Sequence, residues 1–319
     1  MVMIRDYFRF ESKPRKGLLP LEWVMLAYMA LTVVVCLFCY TKVVNPDAML
    51  WGRLRVLVIT LAMWGVYRAL PCRVIMLARV VVQMLLLAWW YPDTYEINRM
   101  FPNMDHVVAQ WEQDLFGCQP ALFFARDFPS PVVSELMDMG YFCYYPMIAV
   151  VAIYYFFARY GEFLRASFIL LTSFFIYYVV FVFFPVVGPT FYYDAVGVDE
   201  IAKGFFPVLG DYFNTHTSCL PSPGYADGLF YQLVEDAKQA GERPTAAFPS
   251  SHVGVSTICM ILALRTRRKA LWMPMLFVYV FLCMATVYIQ AHYVVDALAG
   301  FVSAVAIFFI LYFLTRKHE

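Results

Sequence analysis

The segment Tyr288–Gly300 contains His292 and Asp296 four residues apart, a spacing that places both side chains on one face of a helix. A carboxylate there can accept a hydrogen bond from Nδ1–H of the imidazole. That bond fixes the tautomer and leaves the lone pair of Nε2 free for nucleophilic attack. The same spacing also fits a structural hydrogen bond or two metal ligands, so the pair alone leaves three interpretations open.

The segment Ala247–Gly254 contains a second set of reactive residues. Pro249 is suited to the first turn of a helix, and Ser250 and Ser251 place hydroxyls beside unpaired backbone N–H groups. A helix N-terminus with such groups binds anions, and His252 would extend from the first turn towards a bound anion. The alternative is an ordinary helix start with a serine N-cap.

The two segments support each other through topology. His252 and His292 both lie at the starts of apolar runs, and a basic turn at Arg265–Lys269 separates them. An antiparallel helical hairpin returns the chain to the membrane face that it left. We therefore expect the two histidines to lie close together.

Composition identifies the environment of these segments. The chain has 319 residues, 62% of them hydrophobic and 15% charged, with a mean hydropathy of +0.65. Soluble domains carry roughly 25% charged residues, so a soluble enzyme is excluded and a multi-pass, all-α membrane protein is predicted. The net charge of +1 gives no basis for nucleic-acid binding.

About eight transmembrane helices are predicted, each with roughly 20 mostly apolar residues. We expect one polytopic domain over 1–319, with N-terminal helices in 1–90, an external interfacial loop in 91–135 and a catalytic core in 136–319 that includes an external loop, 185–247. The predicted spans are Leu18–Tyr40, Leu54–Leu70, Val74–Trp90, Leu136–Phe157, Ala166–Phe184, Ser250–Leu264, Leu271–Ile289 and His292–Leu314.

Lys and Arg are distributed unevenly between the two membrane faces. With the N-terminus in the cytoplasm, that side holds fifteen of them and the other side eight, with Arg53 on the external side. Both termini are then cytoplasmic and both histidines face outwards. Within the third span, Arg79 and Gln83 lie one turn apart, and we interpret them as a buried contact between helices.

The strings P-S-S-H and H-Y-x-x-D resemble two signatures of the type-2 phosphatidic acid phosphatase superfamily. The surroundings of the second string are closer to the aureobasidin-resistance branch, the inositol phosphorylceramide synthases and their bacterial relatives. Asp114–Pro120 and Phe184–Phe191 are similar to elements of that branch. The resemblance covers Trp111–Leu314 and implies a six-helix phosphatase-like core preceded by two extra helices.

The resemblance implies a role for each residue of the two segments. His292 would attack phosphorus and form a phosphohistidine, and Asp296 would orient it. His252 would protonate the leaving oxygen and later deprotonate the acceptor. Ser250, Ser251 and nearby N–H groups would hold phosphate oxygens. Neither a metal ion nor a cofactor is expected.

Two departures from the superfamily pattern affect the phosphate site. Thr286 stands where the third signature has Arg, a loss that the synthase-type branch shares. The first signature, K-x6-R-P, is matched only by K-x4-R-P from Lys238, which we interpret as a chance match. A cation must therefore come from elsewhere. The candidates in order of preference are Arg243, Lys203, Arg126 and Arg99.

The resemblance indicates a lipid phosphotransferase that moves a phosphoinositol-type head group from a phospholipid donor to a lipid alcohol such as ceramide. Hydrolysis of a lipid phosphate or pyrophosphate, with water as acceptor, is the alternative with the same triad. The bacterial relatives favour a bacterial inner membrane, with a periplasmic site; in a eukaryotic secretory membrane the site would be lumenal.

Two alternatives belong to other classes. Eight spans also fit a transporter, although paired interrupted helices and recurring polar residues at mid-span are not evident. His252, His292 and Asp296 could instead bind a metal as two histidines and one carboxylate. Asp296 is better suited to accept a hydrogen bond from a histidine, which argues against that site.

Overall fold

The computed structural model describes residues 4–315, and all regular secondary structure in that range is helical. Fifteen α-helices and one turn of 3₁₀ helix occur there. They are α1 (Ile4–Phe8), α2 (Pro20–Phe38), α3 (Pro46–Ala69), α4 (Arg73–Asn98), α5 (Asp105–Phe116), α6 (Pro120–Asp127), α7 (Pro131–Phe142), α8 (Tyr144–Ala158), α9 (Tyr160–Phe183), α10 (Pro189–Val196), α11 (Val198–Ala202), the 3₁₀ turn Tyr212–Asn214, α12 (Leu229–Gly241), α13 (Ser251–Arg265), α14 (Lys269–Tyr288) and α15 (Val294–Thr315). Arg316 and Lys317, which contribute to the charge count, lie outside the described residues.

Proline begins many of these helices. It has no N–H to lose at the first helical position, and its fixed φ suits a helix start. The helices that begin in this way have Pro20, Pro46, Pro120, Pro131 and Pro189 at their first position.

The all-α, multi-pass membrane architecture is confirmed. Six described helices, α2, α3, α4, α9, α14 and α15, are long and apolar enough to span a membrane, and α7 with α8 forms a seventh candidate bent by 48°. The exact count of eight is not confirmed, because α13 has only 15 residues. The predicted helix Leu136–Phe157 is broken at Cys143. Pro146 lacks the N–H that would bond the Phe142 carbonyl of an unbroken helix.

Several helices extend beyond the predicted spans into polar sequence. The helix predicted to end at Trp90 continues to Asn98, and α3 begins eight residues before Leu54. The segment 91–135, predicted as a loop, is largely helical. Polar side chains are tolerated there because they find buried partners: Asn98 donates to the Thr245 hydroxyl at 2.6 Å.

Helix α9 lies at the centre of the bundle and packs against α2, α4, α8, α13 and α15. The short helix α13 is buried between α8, α9, α14 and α15. Gly254 and Gly300 allow this close packing. A Cβ on Gly254 would clash with the Tyr177 hydroxyl, and a Cβ on Gly300 would clash with the Ser250 carbonyl. The start of α13 is thereby held against α15.

The Arg79 and Gln83 side chains confirm the predicted buried contact between helices. Arg79 Nε donates to Glu22 of α2 at 2.9 Å, and Gln83 donates to Thr60 of α3 at 3.0 Å. In the low dielectric of a membrane, such polar side chains require partners within the protein.

Arg53 differs from its predicted position among the external loop residues. It lies buried in α3 and donates two hydrogen bonds to Asp93 of α4, at 3.0 and 2.7 Å. The span was predicted to begin after this arginine because a charged side chain is costly in a membrane, yet the Asp93 carboxylate neutralises its charge.

Candidate active site

The α13–α14 hairpin brings the two histidines into contact. His292 Nε2 lies 3.4 Å from His252 Nδ1, and the ring centroids are 5.6 Å apart. His252 is the second residue of α13, and His292 lies in the link between α14 and α15. The reactive nitrogen of one ring therefore faces the other ring directly.

The surroundings of His292 determine its tautomer. Its Nδ1 is 2.9 Å from the Ala247 carbonyl oxygen, and its backbone N–H donates to the Thr286 carbonyl at 2.9 Å. Burial lowers the pKa of the imidazole to about 4, although the bond to Ala247 opposes that shift. A neutral ring that donates Nδ1–H to a carbonyl keeps its lone pair on Nε2, as nucleophilic attack requires.

Asp296 is fully buried, and its carboxylate accepts a hydrogen bond at the start of α15. Its Oδ2 accepts from the Tyr293 N–H at 2.9 Å and lies 3.5 Å from His292 Nδ1, while Oδ1 has no hydrogen-bond partner in the described residues. The Ala247 carbonyl thus takes the hydrogen bond that we expected Asp296 to accept. The carboxylate remains close enough to stabilise positive charge on the ring.

Two tyrosines hold the His252 ring. Tyr141 of α7 stacks on it with centroids 4.7 Å apart, and Tyr144 of α8 packs beside it at 4.4 Å. The bend between α7 and α8 places these rings one on each side of Cys143. Packing from two directions restricts rotation of the imidazole and keeps it next to His292.

Ser250 and Ser251 lie at the start of α13. The Ser250 hydroxyl accepts from the Val253 N–H at 3.3 Å as the N-cap, and its N–H donates to the Asp296 carbonyl at 3.0 Å. Ser251 is buried as well. The N-cap interpretation is confirmed, and the Ser250 hydroxyl proton remains able to donate to a phosphate oxygen.

The candidate cations lie apart from the histidines. Arg243 is exposed, and Lys203 is exposed and pairs with Glu200 at 2.7 Å. In residues 4–315, neither forms a hydrogen bond or ion pair with the histidines or the two serines. Their role as a phosphate clamp stays a prediction. Of the remaining candidates, Arg126 pairs with Asp127. Arg99 pairs with Glu96 and donates to the Asn214 carbonyl.

Lys238, the first residue of K-x4-R-P, is buried away from this site. Its ammonium donates to the Ser222 hydroxyl at 2.9 Å and lies 3.4 Å from Glu235. These contacts attach α12 to the loop before it. They support the interpretation of this motif as a chance match.

Sequence reasoning missed two carboxylates of α5. Asp105 accepts from the Val187 and Gly188 N–H groups, and Glu112 accepts from the first N–H groups of α15. The sequence did indicate that these acids could act together, because they are seven residues apart and so share a helix face. We did not consider a helix there because the segment 91–135 was predicted as a loop.

Family comparison covers most of the chain. A family model described as the PAP2 superfamily matches residues 106–310. The chain belongs to the PAP2 superfamily. The matched region contains both histidines, Asp296 and α5 from its second residue onwards, whereas three candidate spans, α2 to α4, precede it. No curated protein and no solved structure matches the chain.

Membership of the PAP2 superfamily supports a phosphatase or phosphotransferase that acts on lipid phosphates in a membrane. A metal site is not evident in residues 4–315, where no group of three or more His, Cys, Asp or Glu side chains could hold an ion.

Proposed function

We propose that this protein is a lipid phosphotransferase that moves a phosphoinositol-type head group to a lipid alcohol such as ceramide. One observation supports it above all: His292 donates Nδ1–H to Ala247 and presents Nε2 to His252 at 3.4 Å. This arrangement supplies a nucleophile and a proton donor on one membrane face. The donor would be a phospholipid, and both lipids would reach the site from the bilayer.

In the first step, Nε2 of His292 attacks phosphorus and the bond from phosphorus to the leaving oxygen breaks. His252, which has to be protonated for this step, gives that oxygen a proton and becomes neutral, which releases the donor's lipid alcohol. The imidazole of His292 becomes positively charged, and the Asp296 carboxylate 3.5 Å away stabilises that charge. The phosphorus atom and its leaving oxygen have to lie between the two rings, so the rings must separate when substrate binds.

In the second step, the acceptor hydroxyl gives its proton to His252 and attacks phosphorus, which breaks the P–N bond to His292. The same two steps with water describe a phosphatase, which superfamily membership accommodates equally. The burial of His292 and the aromatic surroundings of His252 favour a lipid alcohol, because they restrict the access of water.

The acceptor is tested with purified protein in mixed micelles containing phosphatidylinositol labelled in its head group, with or without ceramide. We expect labelled inositol phosphorylceramide only when ceramide is present, with little free inositol phosphate. His292→Ala protein controls for contaminating activities. Free inositol phosphate at equal rates in both micelles would show that water is the acceptor and that the protein is a hydrolase instead.

Asp296→Asn tests how the nucleophile is held. Because the Ala247 carbonyl already fixes the tautomer, we expect loss of charge stabilisation alone, about 10²-fold in kcat. The melting temperature should change little, since asparagine still accepts from the Tyr293 N–H. A loss of about 10⁴-fold, as when a triad histidine adopts the wrong tautomer, would show that Asp296 itself sets the tautomer.

The active site is proposed to face outwards from a bacterial inner membrane, with both termini cytoplasmic. Cys219, in the segment before α12, is exposed, whereas the other described cysteines are buried or partly buried. An impermeant maleimide should label Cys219 in intact cells. In a Cys219→Ser background, Lys269→Cys should label only after permeabilisation. The reverse pattern would invert the orientation.

A further inference from the structure

The nucleophile lies in a short link with little regular structure of its own. Residues 289–293 join α14 to α15, and Gln290 has a φ of 63° there. The first N–H groups of α15 have no acceptor within the helix. Tyr293, immediately before the helix, has a side chain that cannot cap it. Groups from elsewhere must therefore hold this link in position.

Glu112 of α5 supplies the missing cap. Its Oε1 accepts from the Val294 N–H at 3.1 Å, and its Oε2 accepts from the Val295 N–H at 3.0 Å. Both bonds join residues more than 180 positions apart in the chain. The carboxylate thereby fixes the start of α15, two residues beyond His292.

Asp105, two turns earlier on α5, holds the segment that contains Val187 and Gly188, on the other side of His292. It accepts from the Val187 N–H at 2.7 Å, the Gly188 N–H at 2.9 Å and the Tyr293 hydroxyl at 3.1 Å. Gly188 has a φ of 90°, and a Cβ there would lie 2.6 Å from the Ala291 carbonyl. This segment therefore packs directly against the link that contains His292.

A backbone connection extends from Asp105 to the acceptor of the His292 Nδ1–H. The Val186 carbonyl, next to Val187, accepts from the Ala247 N–H at 2.8 Å. The Ala247 carbonyl then accepts from His292 Nδ1 at 2.9 Å. Asp105 thus positions the Ala247 carbonyl, which accepts this bond. Glu112 positions α15, the helix that follows His292.

Within the described residues, these two acids are held by hydrogen bonds and not by ion pairs. Both are fully buried, and neither has an ion-pair partner in the part of the chain from 4 to 315. Burial raises the pKa of Asp105 to about 6 and that of Glu112 to about 7, against the opposing effect of their hydrogen bonds. A buried carboxylate without an ion pair is costly, and its hydrogen bonds to backbone N–H groups offset part of that cost.

We propose that Asp105 and Glu112 are positioning residues that hold His292 and its Ala247 acceptor in the geometry needed for attack. The proposal rests on the proposed phosphohistidine route. It does not depend on the identity of the acceptor lipid, because formation of the phosphohistidine precedes acceptor attack.

The test compares Glu112→Gln and Asp105→Asn with the matched control Asp114→Asn, which changes an exposed acid on the same helix. We expect kcat for an aryl phosphate ester to fall about 10²-fold in the first two variants, because small displacements of reacting groups have effects of that size. KM should change less than threefold, that is by less than about 0.7 kcal/mol. The melting temperature should fall modestly, since each amide keeps one acceptor oxygen but turns its NH₂ group towards a donor that the second carboxylate oxygen accepted from.

The assays are run well below the melting temperatures of both variants, where a purely structural role would leave kcat unchanged. Activity within twofold of wild type in both variants would therefore overturn the proposal. Retained activity in His292→Ala would instead show that the phosphohistidine route is wrong. If the His292→Ala variant is inactive while Glu112→Gln and Asp105→Asn keep their activity, only the positioning role is overturned.

Discussion

Replacement of His292 by alanine is expected to reduce turnover by about 10⁶-fold, the loss seen when a covalent catalytic unit loses its central residue. The reason is geometric: His292 is the ring whose Nδ1 is held by a carbonyl and whose Nε2 faces the second histidine. Rapid quenching with a donor labelled at phosphorus should trap an acid-labile, base-stable phosphoprotein in wild type. The alanine variant should show none.

The matched control for this experiment is His216→Ala. His216 is exposed, stacks on Tyr212 and hydrogen-bonds locally to Thr215. We expect its activity and phosphoprotein yield to equal those of wild type. If His292→Ala retained near-wild-type turnover, or still formed the labelled intermediate, another residue would be the nucleophile.

Replacement of His252 is expected to have an effect that depends on the leaving group. On a lipid substrate with an alkyl leaving group, His252→Ala should lower kcat about 10²–10⁴-fold, since alkoxides require protonation to leave. On a nitrophenyl phosphate ester, whose leaving group departs unprotonated, formation of the phosphohistidine should slow by less than about tenfold. His292→Ala should be equally inactive on both substrates.

The control for His252 has to separate proton transfer from packing, because its ring lies between Tyr141 and Tyr144. His252→Gln retains more of the side-chain volume and cannot relay a proton. The glutamine variant should show the same dependence on the leaving group as the alanine variant. Equal losses on alkyl and aryl substrates would assign His252 a role in shaping the site and not in proton transfer.

Much of this protein follows from local sequence. Composition alone predicts a multi-pass α-helical membrane protein, since only internally hydrogen-bonded helices satisfy the backbone in lipid at such low charge. The superfamily follows from two short strings around His252 and His292. Their proximity follows from one hairpin, because an antiparallel pair of helices must return to the face where it began.

The extents of the helices did not follow from local sequence. Hydropathy ends a span at its first polar residues, yet α4 continues through Asp93 to Asn98 because Arg53 and Thr245 satisfy those side chains. Partners that are distant in the chain decide whether a polar residue is tolerated in a helix. A sliding window over the sequence cannot detect them.

The detailed geometry of the site was decided by tertiary structure in the same way. The four-residue spacing correctly placed Asp296 near His292, although His292 lies in the link before α15 and not on the helix. The bond to Nδ1 belongs to the Ala247 carbonyl, 45 residues away. Every backbone N–H and carbonyl is a possible partner, and residue type says nothing about which one the fold will present. Glu112 illustrates the same limit: its acidity was evident from the sequence, but its role at the start of α15 depends on contacts with residues more than 180 positions away.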